Sequence, residues 1–172
     1  MTQTDKLVTD MTRADFVMRF GGVFEHSPWV AEAAYDAGLD PSANDVSGLQ
    51  AVMVHAMRQG TSAAQLALVN AHPDLAGKLA RAGRLTAEST SEQASAGLDH
   101  LTDAERATFE ALNDAYKVKF GFPFIMAVKG RSKAEILSAF EARIANSPDV
   151  EFQTALSEIE KIATLRLAEL MA

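Results

Sequence analysis

Cysteine is absent from the 172-residue chain. That excludes thiol nucleophiles, thiolate metal sites and disulfides, and it fits a reducing cytoplasm. Basic residues are in deficit: 16 Lys and Arg stand against 23 Asp and Glu, a formal net charge of −7. With no Lys/Arg cluster, the chain lacks the electrostatic footprint of a nucleic-acid binder. Long hydrophobic runs are also missing. The longest, 122–128, is far short of the ~20 residues of a membrane helix. The opening residues lack the apolar stretch of a signal peptide. Neither G-x-G-x-x-G nor G-x-x-x-x-G-K occurs, so phosphate binding by those loops is unsupported. Without G-x-S-x-G there is no serine-hydrolase elbow. The four histidines, His26, His55, His72 and His100, include no pair at helical ligand spacing, which argues against a metal site.

What is present reads as a globular protein: 48% of residues are apolar and 23% charged. The even composition predicts one domain over 1–172, with 1–11 as a flexible N-terminal extension. Alternating strand patterns are scarce, while Ala, Leu, Glu, Lys and Gln dominate, which favours helix. Start and stop signals recur and predict an all-α fold of about nine helices. Thr12 caps a helix to about Phe20, and Ser27-Pro28 opens one closed by Gly38. Ser47-x-x-Gln50 and Ser62-x-x-Gln65 open the next two, and His72-Pro73 interrupts the second. A helix around Leu75 to Ala82 ends at Gly83. Ser89-x-x-Glu92 reads as a capping box, as do Thr102-x-x-Glu105, whose helix ends at Gly121, and Ser132-x-x-Glu135, whose helix runs to about Asn146. Ser147-Pro148 opens the last helix.

Phe122-Pro123-Phe124-Ile125-Met126-Ala127-Val128 breaks this pattern. It is apolar and follows a helix-ending glycine, yet no other segment is ready to pair with it as a sheet. Its backbone groups need partners, supplied either by neighbouring helices or by a ligand. His72 is fixed in place by the proline after it, because proline restricts the preceding residue to extended backbone. That suits general acid–base work as well as a structural role. Ser89 and Glu92 are explained by capping alone, although a helix N-terminus also offers donors to an anionic ligand. Arg166 shares the inward face of the last helix with Ile159 and Ile162. A buried cation requires a partner: Glu92 or another acid in a structural pair, or a substrate carboxylate gripped bidentately.

Taken together, the segments FGGVFEHSPWVAE, AHPDLAGKLA, LTAESTSEQASAGLDHL, FEALNDAYKVKFGFPFIMAVKG and EIEKIATLRL give the chain a likeness. In that order and spacing they resemble the OHCU decarboxylases, from Phe16 to about Leu170. Those enzymes act on 2-oxo-4-hydroxy-4-carboxy-5-ureidoimidazoline in urate breakdown. The resemblance implies an all-helical, commonly dimeric enzyme with no metal and no organic cofactor. It implies catalytic roles for His72 as proton donor, with Glu92 and Arg166. It implies a substrate lining of Pro73, Ser89, Thr90, Ser91, Glu92 and Gln93, together with Phe124, Ile125, Met126, Ala127 and Val128. The expected product is (S)-allantoin. The expected partners are a small-molecule substrate and a second copy of the chain, with no nucleic acid and no membrane, in the cytoplasm. The substrate's ring C=N accepts the electron pair left by carbon dioxide, which makes a cofactor unnecessary. Two other readings remain: a related lyase or hydrolase acting on another ureide or hydantoin, and a catalytically silent helical binding module.

Overall fold

The computed structural model describes residues 6–172, and every regular element among them is helical. The helices are α1 (Arg13–Phe20), α2 (Trp29–Asp36), α3 (Val46–Arg58), α4 (Ser62–Asn70), α5 (Lys78–Arg81), α6 (Ala87–Ser95), α7 (Asp103–Phe120), α8 (Lys133–Arg143) and α9 (Pro148–Leu170). Eight of them have at least eight residues; α5 is a single turn. Short 3-10 turns sit at Val8–Asp10 and Pro41–Asn44. The fold is all-α, as the cap signals predict. The described chain divides into two compact units: residues 6–71 with Glu160–Ala172, and His72–Ile159.

In the first unit, α2 packs on both α1 and α3. Their buried residues include Phe16, Phe20, Val30, Ala34, Leu49, Met53 and Met57, and the end of α9 adds Ala163 and Leu167. Of the expected N-terminal extension, residues 1–5 lie outside the described residues. Val8 and Met11 are buried, and the Thr9 N–H donates to Asn44 Oδ1 at 3.1 Å. Thr12 caps α1 as expected, accepting from the Asp15 N–H. At α2 the predicted Ser27 cap does not form: Pro28 takes the N-cap position and no side chain caps the helix. Two further caps fall just upstream of the predicted residues. Asp45, in extended backbone, accepts from the Gly48 N–H at 2.8 Å and starts α3 in place of Ser47. Thr61 accepts from the Ala64 N–H at 3.1 Å and starts α4 in place of Ser62. In each case an equally good cap stands just upstream, and the helix begins at the earlier one.

In the second unit, Thr102 and Glu105 form the full capping box of α7. The Thr102 backbone N–H and the Lys133 ammonium hold the Glu105 carboxyl below the usual carboxylate range. Gly121, at φ +77°, ends α7 in the left-handed conformation that glycine adopts without a Cβ penalty. Ser132 caps α8. Residues 122–128 carry no regular structure, and Phe122, Phe124, Ile125 and Val128 are buried. They enter an aromatic core in which Phe124 stacks on Phe140 at 3.7 Å between ring centroids and meets Tyr116 edge-on at 5.4 Å.

Gly48 is the tightest backbone approach among the glycines: a Cβ there meets the Ser42 carbonyl oxygen at 1.8 Å. Gly→Ala inside a helix ordinarily gains up to about 1 kcal/mol. Gly48→Ala reverses that sign. It is expected to destabilise by about 1–3 kcal/mol, the cost of overpacking, as a lower urea midpoint. Gly22, where a Cβ meets nothing within 4 Å, serves as the neutral comparison.

Candidate active site

His72 is 8% exposed and begins an irregular stretch, 72–77, between α4 and α5. The predicted helix from Leu75 to Ala82 shrinks to α5 because side chains capture the backbone of this stretch before a helix can use it. Gln93 of α6 does so twice: its Oε1 accepts from the Ala76 N–H at 2.9 Å and its Nε2 donates to the Asp74 carbonyl at 3.3 Å. Asn113 of α7 donates from Nδ2 to the Leu75 carbonyl at 2.9 Å. Lys117 Nζ lies 2.6 Å from Asp74 Oδ2. Held this way, Ala76 sits at φ +54°, a left-handed conformation that costs an L-residue roughly 1–2 kcal/mol. Pro73 is half-buried beside His72. Asn113 was not among the expected site residues. Its signal was an amide at i+4 from Phe109 and i−3 from Tyr116, on the buried stripe of α7.

The capping box expected at Ser89 and Glu92 does not form. Thr86 caps α6, its Oγ1 accepting from the Ser89 N–H at 3.2 Å, which places Ser89 inside the first turn. Ser89 and Gln93 are buried and Glu92 is half-buried on one face of α6, while Thr90 and Ser91 lie on the exposed side. The Thr90 hydroxyl bonds back to the Thr86 carbonyl at 2.9 Å. A cleft of about 490 Å³ in this unit is lined by Ala76, Gln93 and Thr90 together with Arg81, Leu98 and Arg106.

In 122–128, two carbonyls have protein donors: Arg143 Nη1 reaches the Ile125 oxygen at 2.6 Å, and the Arg131 N–H reaches the Val128 oxygen at 2.9 Å. The N–H groups of Phe124, Ile125, Met126, Ala127 and Val128 donate to no described residue. Met126 and Ala127 are half-buried within this otherwise buried run.

Arg166 belongs to the first unit. It is 4% exposed on the face that carries the buried Ile162. An acid that pairs with it is Glu25, whose Oε2 is 2.9 Å from Nη1 with a side chain 1% exposed. The same Nη1 donates to the Val23 carbonyl at 3.2 Å. Glu25 was missed; its signal was one acid in the apolar turn FGGVFEHSPW. The turn is closed by Ser27 Oγ donating to the Glu25 carbonyl at 2.8 Å. The next residue, His26, takes φ +46° with an exposed ring. His55 is exposed on α3 and lines a separate cavity of about 690 Å³ in this unit, while His100 is exposed in the other.

The family described as OHCU decarboxylase has a model that matches residues 9–168. The chain belongs to that family. A relative named 2-oxo-4-hydroxy-4-carboxy-5-ureidoimidazoline decarboxylase, from Halalkalicoccus jeotgali, is 46% identical over 166 residues, covering 95% of this chain and 90% of that protein. Another of the same name, from Haloferax volcanii, is 44% identical over 154 residues, covering 90% and 88%. Among solved structures, that of an OHCU decarboxylase in the presence of (S)-allantoin aligns with TM-score 0.65 and 28% identity, over 83% of this chain and 89% of that one. The structure of an (S)-allantoin synthase aligns with TM-score 0.74 and 32% identity over 99% of this chain. This chain spans 54% of that protein's length.

Removing one partner of a buried ion pair leaves the other charge uncompensated, which typically costs about 3–5 kcal/mol. Glu25→Gln in this family member is therefore expected to lower unfolding stability by roughly that amount. The comparison is Asp36→Asn, which breaks the exposed Arg13–Asp36 pair and is expected to change stability little. Equal urea midpoints for the two variants are the result that contradicts it.

Proposed function

We propose that this chain decarboxylates 2-oxo-4-hydroxy-4-carboxy-5-ureidoimidazoline to (S)-allantoin, with His72, Glu92 and Arg166 as its catalytic residues. The observation that carries the reading is the clamped His72 stretch. A buried imidazole heads a loop whose backbone is gripped at three successive residues by Gln93 and Asn113. It lies in a chain that matches the decarboxylase family over nearly its whole length. A proton donor that must serve one face of a carbanion needs such fixity.

The substrate carries a carboxylate on a hydroxyl-bearing carbon next to a ring C=N. Carbon–carbon cleavage releases carbon dioxide, and the electron pair passes into the C=N. Arg166 orients the substrate anion, since a guanidinium grips a carboxylate through two parallel hydrogen bonds. Glu92 takes the hydroxyl proton and passes it to the ring nitrogen that received the electron pair, and His72 delivers a second proton from one side to the carbon that bears the ureido group. Ser89, Gln93 and Pro73 line the ring. Thr90 and Ser91 complete this stretch on the exposed side of α6, Thr90 at the cleft that Gln93 also lines. The N–H groups of Phe124, Ile125, Met126, Ala127 and Val128 are donors for the ureido and ring carbonyl oxygens. The enzyme works without metal or organic cofactor because the substrate supplies its own electron sink. On the family resemblance it acts as a cytoplasmic homodimer, each copy one catalytic domain over 1–172. No described helix is long and apolar enough to cross a membrane.

His72→Asn keeps shape and some hydrogen bonding but delivers no proton near neutral pH. General acid–base catalysis is worth about 10²–10⁴-fold, so the variant is expected to fold and to lose at least roughly 10²-fold in rate. The assay generates the unstable substrate in situ from urate and follows circular dichroism, because uncatalysed decarboxylation gives racemic allantoin. Single-handed product at a near-normal rate identifies another donor, Glu92 first.

Arg166→Lys keeps the charge and loses the two-pronged grip. A folded variant is expected with kcat/KM reduced by about 10²-fold, the cost of misplacing a bound reactant. Near-normal kcat/KM in a less stable protein assigns Arg166 to bracing alone.

A further inference from the structure

The second unit buries an arginine that the reaction does not use. Arg143, at the end of α8, has a side chain 12% exposed, and Glu151 on α9 is fully buried against it. The Arg143 Nε contacts both carboxylate oxygens of Glu151, at 3.0 and 3.2 Å. Its guanidinium lies over the Phe124 ring, 4.2 Å from the centroid, and that ring is stacked on Phe140. The Tyr116 hydroxyl is buried with no hydrogen-bond partner, in electrostatic contact with Arg143 and Glu151, and burial pushes its phenol far above the ordinary range. Burying an ion pair is costly and seldom justified by stability alone. Here its one outward contact is telling: Nη1 donates at 2.6 Å to the Ile125 carbonyl, inside the irregular run.

A peptide unit is planar and trans, so its C=O and N–H point in opposite directions. Fixing the Ile125 carbonyl fixes the Met126 N–H on the far side of the same plane. A charge-assisted bond to the carbonyl also polarises the peptide and strengthens that N–H as a donor. The Met126 N–H has no acceptor among the described residues, and Met126 is half-buried.

We propose that Arg143 is a positioning residue which, held by Glu151 and Phe124, orients the Met126 N–H toward a carbonyl or carboxylate oxygen of the substrate. This inference rests on the reading of 124–128 as substrate lining. Arg143 touches no substrate in this scheme. It acts through one peptide group, as a side chain does when it aims a backbone donor at developing charge.

The experiment measures residue-resolved amide hydrogen exchange at Met126 with and without (S)-allantoin, in the wild type and in Arg143→Lys, alongside steady-state kinetics. Lysine keeps the charge but cannot hold Glu151, the ring and the carbonyl together. In the wild type, (S)-allantoin is expected to slow Met126 exchange at least tenfold. In Arg143→Lys that slowing is expected to disappear and kcat/KM to fall about 10- to 100-fold, as for a misplaced reactant. Ile136→Val, a core truncation elsewhere on α8, controls for lost stability and is expected to keep both protection and kcat/KM. Glu151→Gln, which loosens the hold on Arg143 without touching the run, is expected to weaken both partially. Full ligand protection and unchanged kcat/KM in Arg143→Lys overturn the inference alone. If (S)-allantoin leaves Met126 unprotected in the wild type, the substrate-lining reading falls and the inference falls with it.

Discussion

Buried backbone must be hydrogen-bonded, and in an all-helical protein every helix satisfies its own. Chain that is buried but not helical has to borrow partners. The compact unit His72–Ile159 holds two such stretches, 72–77 and 122–128; the turn 23–27 in the other unit is also buried and non-helical, its Val23 carbonyl accepting from Arg166. The first borrows from Gln93 and Asn113. The second borrows from Arg143 for one carbonyl and leaves five consecutive N–H groups without a described acceptor. The helices of this unit thus act as scaffolding that holds two irregular stretches through their side chains.

Much of this was legible in the sequence. Thr12, Thr102 with Glu105, Ser132 and Gly121 announce helix ends, because caps depend on residues only a few positions apart. The irregular run announced itself by a proline in an apolar stretch after a glycine. Arg166 announced its burial by its spacing from Ile159 and Ile162. Each of these signals is local.

The rest was not local. Asp45, Thr61 and Thr86 outcompete Ser47, Ser62 and Ser89 because two adequate caps stand close together, and a pattern of residue types does not rank them. The residues missed were Glu25, Asn113 and Arg143, each of which completes a bond to chain far away in sequence. Asn113 reaches back 38 positions to Leu75, and Glu25 meets Arg166 from the other end of the chain. An amide or an acid on an apolar stripe says that a partner exists, but only the fold says which one.

The left-handed Ala76 gives the His72 loop an evolutionary character. Gln93 and Asn113 hold a conformation that alanine resists, so strain and restraint are balanced across positions 76, 93 and 113. Once one restraint is lost, the loop relaxes to a conformation that the other no longer stabilises. The first replacement is then costly and the second nearly silent, which is the signature of coupled sites.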